Sequence, residues 1–211
     1  MAPEFSDRFR SELETLLKWR RDVRRFQAEP IPDVARAAIL SACDAAPSVG
    51  LSQPWRLIDV RSGRARSAVA ENFKVANAVA LATAHADRAD DYVKLKLAGI
   101  ETAPFQLAVF CDPAPGAGDG LGRQTMPEMV HASAVCAVMQ MWLVARAWGV
   151  GLGWVSILNP DHLKRDLDVP TEWDLVAYLC LGYPADPSDQ PELERLGWEQ
   201  RSPASGSIQH R

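Results

Sequence analysis

Four arginines, Arg20, Arg21, Arg24 and Arg25, fall within six positions of the run WRRDVRRF (residues 19–26), and an acid, Asp22, stands among them. Guanidinium groups are planar forks of donors that match phosphate oxygens in pairs and keep their charge at any working pH. The same residues also suit a solvated helix end, where basic side chains meet the last carbonyls. An acid inside such a cluster either balances charge or takes part in a reaction.

Two further segments carry chemistry. APSVGLSQPW (46–55) offers two hydroxyls, Ser48 and Ser52, the carboxamide of Gln53, a glycine and Trp55 directly after a helix. These suit a polar heterocycle edge or a phosphate, and equally a helix-to-strand turn with Trp55 entering the core. GLGWVSI (151–157) places two glycines before Ser156. Glycines in a strand mark close approach by another backbone or a ligand, or plain sheet packing. Other patterns carry less. Gly149, Gly151 and Gly153 follow a helix and precede a strand, the reverse of a dinucleotide-binding turn. GAGDGLG (116–122) lacks the Lys-Ser/Thr ending of a phosphate loop and reads as a flexible loop or lid. His85, His131, His162 and His210 show no ligand spacing, so no metal is expected.

In this order and spacing, RRDVRRF, APSVGLSQPWR and GVGLGWVSIL resemble the flavin-binding nitroreductase family over residues 12–203. Many members have a serine where Asp22 stands and an asparagine where Leu51 stands. Both departures point to a branch that consumes its flavin. The resemblance implies an α+β fold, with a central mixed or antiparallel sheet surrounded by helices, and an intertwined homodimer with FMN at its interface. It places Arg20, Arg21, Val23 and Arg24 at the FMN phosphate and ribityl chain, joined by Arg201 from the tail. Ser48 would come from the partner subunit, Leu97 would touch the cofactor, and Gly153–Ser156 would follow the isoalloxazine edge.

The implied reaction is the O2-dependent fragmentation of reduced FMN to dimethylbenzimidazole and erythrose 4-phosphate, without a metal. A flavin reductase would supply the reduced FMN. Asp22 would serve as base or proton shuttle, kept anionic by its arginines, and Ser156 would hydrogen-bond the ring. An NAD(P)H-dependent oxidoreductase on the same fold, or a flavin-binding protein without activity, stays open.

The elements that must position these residues follow from periodicity over 211 residues, expected to form one domain with a core at 12–184 and an extended tail at 185–211. Residues 5–19 and 32–46 read as helices, the second with Pro32 in its first turn. Strands are expected at 55–61, 105–112, 150–158 and 173–184, and helices at 64–98 and 127–148, with a short capped helix from Asn159. The 127–148 helix is apolar nearly all round and should be central. A net charge of −4 argues against nucleic acid as a partner. The apolar stretch 132–145 contains Gln140 and is too short for a bilayer. With a charged N-terminus and four scattered cysteines, read as buried thiols, a cytoplasmic protein is expected.

Overall fold

The computed structural model describes residues 3–83 and 99–202. Its centre is a sheet of four antiparallel strands: β1 (Trp55–Asp59), β2 (Phe105–Cys111), β3 (Gly151–Val155) and β4 (Asp174–Gly182), in the order β1-β2-β4-β3. Every residue of β2 is buried, as a central strand covered on both faces requires. Alternation sorts its side chains. Leu107 and Val109, with Leu179 and Leu181 of β4, face one layer of helices; Ala108 and Phe110, with Tyr178 and Cys180, face the other.

The first layer holds α2 (Asp33–Ser41) and α5 (Glu128–Ala147); the second holds α3 (Gly63–Thr83) and α6 (Pro160–Asp166). By length and composition α5 could cross a bilayer, being longer than the 132–145 stretch suggests, yet it contacts all four strands and buries Ala134, Ala137, Val138, Met141 and Ala145 in the core. Three of the four cysteines are buried, whereas Cys136 lies on the outer side of α5 and is exposed, against the expectation of four buried thiols.

Helix α1 (Asp7–Trp19) is capped by Ser6, whose hydroxyl accepts from the Phe9 amide at 3.1 Å. It packs on α5 but buries none of its residues; Phe5, Phe9, Leu13 and Leu17 form an exposed stripe at four-residue spacing. The second helix stops short of its expected end. Residues Ala42–Ala45 tighten into a 3-10 turn, and Ala46, which precedes Pro47, is extended at ψ 141°. Pro32 caps α2 from outside its first turn. The tail also departs from expectation: Glu192–Arg195 form a one-turn helix, α7, behind Pro191.

A buried polar chain ties the sheet to the short helix α4 (Gly99–Thr102). The Tyr178 hydroxyl donates to Gln106 Oε1 at 2.6 Å, and Gln106 Nε2 donates to the Ile100 carbonyl at 2.7 Å. Tyr178→Phe leaves the Gln106 acceptor buried without a partner. It should cost about 1–3 kcal/mol of stability in urea unfolding, and an unchanged midpoint would contradict this role.

Candidate active site

Residues 20–27 hold no regular element of their own and are laid along existing ones. The Val23 amide donates to the Leu152 carbonyl at 3.1 Å, so the chain joins the free edge of β3 for one parallel bridge. Further on, the Gln27 amide donates to Tyr183 O at 2.9 Å and the Ala185 amide to Arg25 O at 3.0 Å, which clamps the segment to the chain leaving β4. The glycines of β3 make this docking possible. A Cβ on Gly153 would stand 2.2 Å from the Val23 carbonyl oxygen, and one on Gly151 would stand 2.7 Å from the Val23 side chain. The close neighbour is a backbone, one of the readings left open by the sequence.

Docking fixes Asp22 from two sides. The Trp154 amide donates to Oδ1 at 2.9 Å, and Arg24 Nε donates to Oδ2 at 2.9 Å. Asp22, Val23 and Arg24 then line a cavity of about 120 Å³ together with Gly153, Ser156, Phe73 and Cys180. Asp22 and Ser156 are therefore brought to one site. Cys180 adds no charge there: burial first, then the nearby Asp22, pushes its thiol up to about 12. Behind Ser156, the side chain of Asn72 grips the backbone of Asn159, accepting from its amide at 2.7 Å and donating to its carbonyl at 3.0 Å. Asn159 in turn caps α6.

On the other side of Asp22 lies a second cavity, of about 250 Å³, walled by Arg20, Arg21, Arg24 and Arg201, with Asp22 and Glu192 as the acids. Arg20 lies 4.6 Å from the centre of the Trp142 ring of α5. Burial and then the charge of Arg201 pull Arg20 below the ordinary guanidinium value, with Asp22 opposing; burial, Arg201 and Arg20 do the same to Arg21. Cations held against mutual repulsion form a site for an anion. The Arg24 side chain is only 14% exposed, and its Nη1 is buried without a hydrogen-bond partner.

Ser48 does not join these residues within one chain. Its hydroxyl accepts from the Gln53 amide at 3.2 Å, and the neighbouring Val49 amide donates to Ser133 Oγ on α5 at 3.0 Å. Arg20 meets the same helix at Trp142, nine residues on, roughly 13 Å along the axis at 1.5 Å per residue. The 116–122 loop packs on the Ser48 side, with Gly118 against the Gly50 carbonyl, and lines neither cavity beside Asp22. Leu97 lies outside the described residues. Among the described residues no group of three acids, histidines or cysteines could hold a metal. Sequence reasoning missed Glu192, although Pro191 followed by acids at 192 and 194 is a helix-start signature.

A family model described as the nitroreductase family matches residues 17–183. The chain belongs to the nitroreductase family. It is 50% identical over 202 residues to a 5,6-dimethylbenzimidazole synthase of Rhodospirillum rubrum, covering 96% of both chains. To a 5,6-dimethylbenzimidazole synthase of Rhodobacter capsulatus it is 44% identical over 199 residues, 94% of this chain and 96% of that one. Among solved structures, oxidized iodotyrosine deiodinase bound to FMN and 3-iodo-L-tyrosine superposes with a TM-score of 0.71 at 23% identity, covering 83% of this chain and 91% of that one. A nitroreductase family protein from Clostridium difficile 630 gives a TM-score of 0.66 at 20% identity, covering 92% and 95%. These likenesses show the nitroreductase fold, in agreement with the α+β architecture expected from the sequence.

The docking geometry predicts that Gly153→Ala lifts residues 22–23 from the sheet. Hydrogen exchange at the Val23 and Trp154 amides should accelerate by at least about tenfold while β2 and β4 amides stay protected. Unchanged protection at both would show that Gly153 does not set the contact.

Proposed function

We propose that this protein catalyses the O2-dependent fragmentation of reduced FMN to 5,6-dimethylbenzimidazole, the lower ligand of vitamin B12, and erythrose 4-phosphate. The near-full-length identity to curated synthases supports the reaction. The observation that carries it into this chain is Arg24, which lines both cavities beside Asp22 and keeps one buried donor unpartnered. A ligand with a phosphate at one end and a reactive chain at the other fits that pair of cavities.

Arg20, Arg21, Arg24 and Arg201 would hold the phosphate by charge-assisted hydrogen bonds. The Val23 backbone would keep the segment in register, and Ser156 would offer its hydroxyl to the ring. Reduced FMN would supply the electrons that activate O2 and also the carbon skeleton of the product. Asp22 is suited to proton transfer. Each of its oxygens already accepts one hydrogen bond, which fixes the carboxylate, and an ionised carboxylate has about four acceptor sites in all, so capacity remains toward the cavity. That combination of fixed geometry and spare acceptor is what a general base needs.

The reading extends to a homodimer of single-domain chains, working in the cytoplasm with a flavin reductase as the source of reduced FMN. The Val49 amide, next to Ser48, and Arg20 meet α5 nine residues apart, so Ser48 would reach the flavin of a neighbouring copy. The exposed stripe Phe5, Phe9, Leu13 and Leu17 suits cover by that copy. Sedimentation should give twice the chain mass of 23.2 kDa; a monomer that still turns over would remove Ser48 from the site.

Incubation of the protein with reduced FMN in air should yield dimethylbenzimidazole by mass spectrometry. Plain reoxidation of FMN, or steady NAD(P)H turnover with intact flavin, would favour a nitroreductase-type oxidoreductase. Asp22→Asn should keep FMN binding and lose at least about 100-fold in product formation. Product at the original rate would remove Asp22 from the chemistry.

A further inference from the structure

Glu192 is a carboxylate in a place built for anions. It sits on α7, its side chain is 12% exposed, and it lines both the arginine-rich cavity and a small cleft that Arg25 and Arg146 also line. Its Oε1 lies 3.3 Å from Arg25 Nη2 and its Oε2 lies 3.8 Å from Arg24 Nε. Two carboxylates, Asp22 and Glu192, thus compete for Arg24 Nε, while its buried Nη1 has no hydrogen-bond partner. The cavity lining carries four guanidiniums against two carboxylates, a net charge of two positive units. A phosphate monoester carries about −1.5 to −2 at neutral pH. Without Glu192 the lining would exceed that charge by about 1 to 1.5 units.

We propose that Glu192 is a charge-setting residue of the arginine cavity, which matches the cavity to one phosphomonoester and keeps that group exchangeable. In the reaction proposed above, on which this second part rests, both the substrate and the sugar product carry the phosphate. A cavity that gripped it with surplus charge would hold the product and slow turnover.

The test uses the full chain and inorganic phosphate as probe, followed by calorimetry across a range of salt. Glu192→Gln should bind phosphate about tenfold more tightly at low salt, because one unit of opposing charge a few ångströms away has gone, and the gain should shrink as salt rises. Glu192→Asp, which keeps the charge, should stay within about twofold of the parent. Asp186→Asn should do the same, since Asp186 pairs with Arg25 and Arg195 outside the cavity lining. A residue that only held α7 in place would give the opposite sign, since loosening α7 releases Arg201 and weakens phosphate. Weaker or unchanged binding in Glu192→Gln therefore overturns the proposal, as does failure of the parent protein to bind phosphate at all. Tighter phosphate binding without dimethylbenzimidazole from reduced FMN would overturn the reaction while leaving the role of Glu192 standing.

Discussion

A strand edge in a folded protein presents unpaired amides and carbonyls, and something must occupy them. Here the free edge of β3 is taken by Asp22 and Val23, and the site follows from that one backbone contact. It needs Gly153, because any side chain there would collide with the Val23 carbonyl. Once the contact forms, the Trp154 amide has a carboxylate oxygen to donate to, and the arginines on either side of Asp22 are carried to fixed positions. The carboxylate of Asp22 is thereby held on one side by a backbone amide and on the other by Arg24 Nε.

The second constraint is electrostatic. Arg20, Arg21, Arg24 and Arg201 converge from opposite ends of the chain, and burial, with the charge of Arg201 added, makes the positive charge of Arg20 and Arg21 costly to hold. The tail answers with acids and a carbonyl. Asp186 and Glu192 reach Arg25, Glu192 approaches Arg24, Glu194 lies 3.7 Å from Arg201, and the Asp189 carbonyl accepts from Arg21 Nε at 2.6 Å. The tail is thereby part of the site, and the arginine cluster is part of what orders the tail.

Much of this was legible in the sequence, for reasons that can be named. The buried run of β2 and the apolar α5 announce themselves by composition, and the three motifs are local enough to read directly. The close approach at Gly153 was foreseen as a class of contact, though its partner, Val23, lies 130 positions away and leaves no local trace. The tail misled because prolines and charges dominate its composition, while α7 is a single turn ordered through its acids by distant arginines. Cys136 misled because hydrophobicity all round a helix does not say which side the sheet takes. The 3-10 turn that continues α2 stops at Ala45 because Pro47 holds Ala46 extended, a one-residue effect that outweighed the helical pattern.

The position of the phosphate relative to Asp22 decides whether this carboxylate can act on the bound molecule. A crystal structure of the protein with FMN bound answers this directly. The account predicts the phosphate among Arg20, Arg21, Arg24 and Arg201, with a ligand oxygen within hydrogen-bond reach of Arg24 Nη1. The ribityl chain should then run past Asp22 toward Ser156. A phosphate bound elsewhere, or a ribityl chain turned away from Asp22, would contradict it.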